Sequence, residues 1–149
     1  MRWVSQHAPV IEAVAALVTA LVAVAALVGV VIQLQAADQL SREQSARDAY
    51  RNHLALAATQ PGFAQPQNAC ALMSGPNAKS YTAFVDHLLY SAEQMLAVEE
   101  GWDTTFLNAL DPHAVYLCSE QSPDGADPNL AALLSRFWAE RCDATPTCD

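Results

Sequence analysis

The side chains best suited to chemistry in this sequence are His53, His87 and His113 and the four cysteines Cys70, Cys118, Cys142 and Cys148. Imidazole and thiolate are zinc donors, but zinc needs four of them in a tight tetrahedron, usually including a close pair such as Cys-x-x-Cys or His-x-x-x-His. The sequence holds no such pair. His113 and Cys118 lie five positions apart, which on a helix turns them roughly 140° from each other. They read as a packed or hydrogen-bonding histidine and a buried, inert cysteine, and neither a metal nor a cofactor is expected. Glu99, Glu100 and Asp103 crowd a helix end and a helix start. A hard cation asks for more oxygens on a tight loop, so these read as a solvated acidic corner. Ser74-Gly75-Pro76 is not a nucleophile elbow, and there is no glycine-rich phosphate loop. With no motif that names a reaction, the chain reads as non-catalytic.

The cysteines have a second use. Four allow three disulfide pairings, and such bonds belong to oxidising compartments. There, Cys142 and Cys148 would close a short loop around Asp143 to Thr147. Cys70 with Cys118 would be the complementary pair, tying a proline-rich connection to a later helix. Five intervening residues are not the thiol-redox spacing. In cytoplasm all four are expected as thiols.

These residues must be positioned by a chain of 149 residues, enough for one modest domain. Hydrophobic residues make up 52% and charged residues 15%, well under the rough quarter usual for charged residues in a soluble domain. The explanation is local: Ala13 to Ile32 is an uncharged run of twenty residues with nothing more polar than Thr19. As a helix it spans a hydrocarbon core of roughly 30 Å. It exceeds the apolar stretch of about 7 to 15 residues of a secretory signal, so a retained single-pass anchor over 1–36 is expected. Pro9 suits a first helical position, Trp3 an aromatic belt at the interface, and Glu12 the first turn of the helix. Ala13, Ala16, Ala20 and Ala23 share one stripe of this helix, and Ala25 with Gly29 forms a separate small pair. Small faces permit close backbone approach, so these six positions are the expected contact with a membrane-protein partner or a second copy.

Charge separates the two parts of the chain. Residues 1–59 carry four bases and four acids, whereas residues 60–149 carry three bases and twelve acids, so the net charge of -9 resides in the distal part. Nucleic acid is excluded as a partner, because backbone binding needs clustered lysine and arginine. Arg42, Arg47 and Arg51 follow the apolar run while Arg2 and the amino terminus precede it, which favours a cytoplasmic C-terminal domain. Disulfide bonding of the cysteines would instead place that domain in the periplasm.

Periodicity makes the rest all-α. From Leu34 to Thr59 there is neither Gly nor Pro, and Ala37, Leu40, Ala46, Ala49 or Tyr50, Leu54 and Ala57 recur at helical spacing. Residues 10–59 are thus expected as one helix of about 75 Å, with 37–60 as a membrane-proximal extension and a capping-box alternative at Ser41 to Gln44. Pro61 and Gly62 end it, and residues 61–78 form a structured connection with a short turn near Ala69 to Met73. An amphipathic helix follows from Lys79 to Glu100 and stops at Gly101. Asp103 is expected to cap the next, through Phe106, Leu107 and Leu110, and Asp111-Pro112 to restart one through Cys118. After a turn at 119–128, Asp127 and Pro128 open a last helix with Leu130, Leu133 or Leu134, Phe137 and Trp138 inward. The domain over 61–149 ends in a flexible tail.

The segments IQLQAADQLSREQSARDAYRNHLALA, QPGFAQP, YTAFVDHLLYSAEQMLAVEEGW and HAVYLC resemble those of small uncharacterised bacterial single-pass membrane proteins, over about residues 10–120. The acidic PDGADP segment and the cysteine-bearing tail fall outside the likeness. The resemblance implies an inner-membrane anchor with a helical extramembrane domain and no established activity. The expected role is an accessory or structural interaction subunit of a bacterial membrane complex. The alternative is an anchored ligand-sensing or regulatory module, which would need a polar pocket between the 79–100 and 103–118 helices.

Overall fold

In the computed structural model the described backbone covers residues 2–119 and 127–148, with side chains described from Glu12 onward. The interfacial role expected of Trp3, and most of the turn at 119–128, lie outside the described residues. The described residues are mostly helical, with no strand among them: α1 Arg2–Thr59, α2 Pro61–Ala64, α3 Ala69–Ser74, α4 Ala78–Leu96, α5 Asp103–Leu110, α6 Ala114–Leu117 and α7 Pro128–Arg141, with 3₁₀ turns at Asp111–His113 and Cys142–Ala144. The chain divides into two compact units, residues 1–41 and 42–149. The extension expected over 37–60 is therefore split, and residues 42–59 belong with the domain.

The first unit is helix alone. α1 includes Pro9 rather than starting there, and runs without a break past Asp38 and Ser41. Among the described residues it is the one helix long and apolar enough to cross a membrane. Leu17, Leu21, Val22, Leu27 and Leu34 are all more than 60% exposed, so no protein group covers the run. Thr19 returns its hydroxyl proton to the Ala15 carbonyl at 2.8 Å, which leaves no free donor on the apolar surface.

The second unit is a closed helical core. α1 ends because Gln60 precedes proline; that position disfavours helical backbone, and Gln60 sits at φ -125, ψ 61. The short turn expected near Ala69 is α3, capped by Asn68, whose side-chain oxygen accepts from the Ala71 amide at 2.9 Å. Gly75 then passes so close that a Cβ there would lie 2.6 Å from the Ala71 carbonyl oxygen. α4 supplies most of the core, burying Tyr81, Phe84, Val85, Leu88, Leu89, Ser91, Ala92 and Met95. It ends at Leu96, short of Gly101, because Ala97 to Glu100 form turns first; Gly101 takes φ +87 in the following reversal, a conformation open to glycine. Asp103 does not cap α5. Trp102 holds the cap position and Asp103 lies in the first turn, where a carboxylate still suits the helix dipole. Phe106, Leu107 and Leu110 turn inward from α5. Asp127 caps α7 as its spacing predicts, accepting from the Asn129 amide at 2.8 Å. Leu130, Leu133, Leu134 and Phe137 are buried, while half-buried Trp138 donates its indole N–H to the Leu117 carbonyl at 2.9 Å.

The cysteines pair differently from the expected short loop. Cys118 stands at disulfide distance from Cys142, and Cys70 from Cys148. The reason is the return of α7, whose C-terminal cap is Cys142. Its indole anchor on Leu117 brings the helix alongside the end of α6, next to Cys118. The tail then continues to α3 and ends fastened at Cys70 rather than free.

The pairs span 24 and 78 residues of sequence. Loop-closure entropy assigns them about 3.5 and about 4.5 kcal/mol respectively, an upper range for real cross-links. Replacing Cys118 and Cys142 together by serine is expected to lower the urea-unfolding free energy of the detergent-solubilised chain by roughly 3 kcal/mol. An unchanged unfolding midpoint would mean the bond contributes nothing.

Candidate functional site

The densest group of reactive side chains lies where residues 42–59 of α1 meet α4. Helical spacing from Ala46 reaches Ala49 and Tyr50, then His53, then Leu56 and Ala57. Ala46 and His53 are buried and the other four half-buried. His53, at 6% exposure, occupies the inward position that periodicity had assigned to Leu54, which is 50% exposed. The helices approach closely here because Ser91 is small: its hydroxyl lies 3.2 Å from the Ala49 carbonyl of α1 and 2.8 Å from the His87 carbonyl of its own helix. On one side of this crossing the Tyr50 ring meets Trp102 and Phe106 edge-on at 5.3 and 5.4 Å. Arg47 reaches Glu99 at 3.2 Å, so the acidic corner contains one ion-paired member.

On the other side the three histidines come together. His53 stacks on His87 with centroids 5.6 Å apart and packs on Phe84 at 5.0 Å; Phe84 in turn meets His113 at 5.8 Å. Cys118 is not among them, being paired with Cys142. The stacked rings offer faces to each other, not converging lone pairs. Among the described residues, no three or more His, Cys, Asp or Glu side chains gather as metal ligands.

His53 and His113 are held in their uncharged forms. Burial, and then the neighbouring His87, push His53 down to about 4; burial, and then His53, push His113 down to about 4. The Tyr81 hydroxyl lies 3.1 Å from His113 Nδ1. Burial, and then Tyr116, raise that hydroxyl to about 12, so it keeps its proton; the His113 tautomer sets whether the hydroxyl donates to Nδ1 or accepts from it. The Nδ1 atoms of His53 and His87 are buried and have no hydrogen-bond partner. A buried imidazole nitrogen can stay unprotonated at modest cost, whereas a charged one cannot.

The positions expected to contact a membrane partner are not brought against anything. Ala13, Ala16, Ala20, Ala23 and Ala25 are exposed and Gly29 half-exposed, and a Cβ added at Gly29 would meet nothing within 4 Å. Among the described residues, two of the domain's cavities lie away from the space between α4 and the α5–α6 region. One of about 470 Å³ has Met73, Val115, Cys118, Cys142 and Cys148 in its walls; a shallower one of about 590 Å³ runs past Pro61, Gln65, Gln67 and Leu72. Neither lining contains an acid or a base. Between α4 and α5, the buried Leu88, Met95, Phe106 and Leu110 form continuous apolar core.

Comparison of the chain with protein-family models, curated proteins and solved structures gave no match, so the functional reading rests on the residues and their geometry.

Proposed function

We propose that the protein is a non-catalytic accessory or structural subunit of a bacterial membrane complex, held in the inner membrane by α1 with its helical domain in the periplasm. The observation that carries this reading is the uncovered apolar run of residues 13–34 on a chain whose distal unit has its own filled core. A helix with such a surface requires lipid or another apolar helix. Among the described residues of the domain, neither cavity described above is lined by an acid or a base, which favours interaction over catalysis.

The cysteines support the periplasmic side. Two pairs at disulfide distance use all four, and cytosolic thiol pools oppose such bonds. The arginines after the span pull the other way by number. Of these, Arg47 is ion-paired with Glu99, and Arg51 with Asp48 at 3.2 Å.

Intact-mass measurement after alkylation without reductant tests anchor and side together. The expected species starts at Met1 and takes up no alkyl group until it is reduced, then takes up four. Four free thiols before reduction would return the domain to the cytoplasm, and a new terminus near Ala36 would make the run a cleaved signal.

The partner contact is tested by replacing Ala16 and Ala20 together with Leu. The added bulk blocks close approach and preserves hydrophobicity. Val14 and Val18 replaced together with Leu serve as the control. The alanine-face variant is expected to lose its partner in detergent-solubilised complexes while the control keeps it. Equal recovery of the complex in both variants would remove that face from the account.

A further inference from the structure

The two cysteine pairs connect α3 to the tail and α6 to the end of α7. Residues 42–59 contain no cysteine. This stretch is attached to the rest of its unit by chain continuity at Gln60, where the backbone leaves the helical region, and by noncovalent contacts. These include the Ser91 hydroxyl on the Ala49 carbonyl, the Arg47–Glu99 pair, the Tyr50 ring on Trp102 and Phe106, His53 on Phe84 and His87, and Ala46, Leu56 and Ala57 against the core. We propose that His53 and His113 form an acid-sensitive latch, with His87 stacked on His53: protonation of His53 and His113 releases residues 42–59 of α1 from α4 while the disulfide-tied remainder of the domain stays folded.

Among the described groups around the cluster, the carboxylates are ion-paired or exposed. From α1, Arg47 is engaged with Glu99, and Asp48 with Arg51. α2 contributes Phe63 and no titratable residue. From α4 come His87 itself, Tyr81, which keeps its proton, and Asp86, an exposed carboxylate whose charge helps to raise the Tyr116 hydroxyl of α6. In the 3₁₀ turn, Asp111 is committed to Arg141 at 2.8 Å. Asp103 on α5 is exposed. Charging His53 sets positive charge on a buried ring stacked against His87. Charging His113 leaves Nδ1 a donor only, so the Tyr81 oxygen must accept there.

The sign of the linkage follows. His53 and His113 are held below the ordinary 6.5, so the opened state binds more protons than the closed state. The closed state is fully favoured above 6.5 and loses stability as pH falls toward 4, by up to about tenfold in the opening constant per pH unit for each histidine. Asp86, raised by partial desolvation, acts in the opposite direction. The relief of repulsion in an acidic domain as carboxylates take up protons also favours folding, so a loss of protection on acidification runs against the general charge effect.

Amide hydrogen exchange of the full oxidised chain in an uncharged detergent, compared at about pH 7.5 and about pH 5.0 after correction for intrinsic rates, reads the latch directly. Protection over residues 46–57 is expected to fall at least about tenfold at the lower pH, with α7 unchanged. The variant His53→Phe, which retains a ring without a titrating nitrogen, should show a smaller fall. Equal loss of protection in α7, or no loss over 46–57, would overturn the proposal. Should the variant fail to fold, imidazole NMR titration of the unmodified chain decides. Protonation of His53 and His113 well below 6.5, accompanied by shifts in α1 resonances, supports the latch; ordinary titration without such shifts contradicts it.

Discussion

The distal unit depends on one helix crossing: residues 46–57 of α1 against α4. Ala46 is 1% exposed and Ala92 is fully buried, and the Ser91 hydroxyl satisfies itself on backbone carbonyls of both helices. Small residues at the crossing let the two backbones approach; a larger side chain at Ala46 or Ser91 would hold them apart. Once they are close, Tyr50 falls beside Trp102 and Phe106, and His53 beside Phe84 and His87. A domain beginning at residue 61 would lose these neighbours and expose one side of α4. Three of its elements are short: α2, α3 and α6 have four, six and four residues. Such helices are not stable without packing.

The crossing and the cysteine pairs divide the work of holding the domain together. Covalent closure constrains the parts with the least regular structure, namely α3, the end of α6, the end of α7 and the tail. Noncovalent packing holds α1. The result is a polar, proton-sensitive seam on the side without disulfides and a reduction-sensitive one on the other. The seams respond to different conditions because imidazoles line the first and sulfur bridges the second.

Much of this was legible in the chain. The apolar run, the amphipathic period of α4 and the Asp127-Pro128 start of α7 are local signals, and each element stands where its residues place it. The failures are equally specific. An inward Leu54 is the expectation of hydrophobicity alone, whereas the register set by Ala46 and Tyr50 selects His53; a histidine is buried when aromatic rings receive it, and those rings come from α4, thirty residues on. The cysteine partners depend on the return of α7, and sequence separation says nothing about that. The Gly101 stop missed the true end of α4 because turns at 97–100 preceded it. The six small residues of the apolar run were plain in the sequence, and the fold leaves five of them exposed and Gly29 half-exposed.

The claim that the distal third of α1 is a structural part of the domain is tested most directly with two oxidised fragments, residues 42–149 and residues 60–149, unfolded in urea and followed by near-ultraviolet circular dichroism. The account predicts a single cooperative transition for the longer fragment and weak, non-cooperative unfolding for the shorter. Coincident cooperative transitions for both would contradict it, showing that the helix crossing is dispensable to the fold.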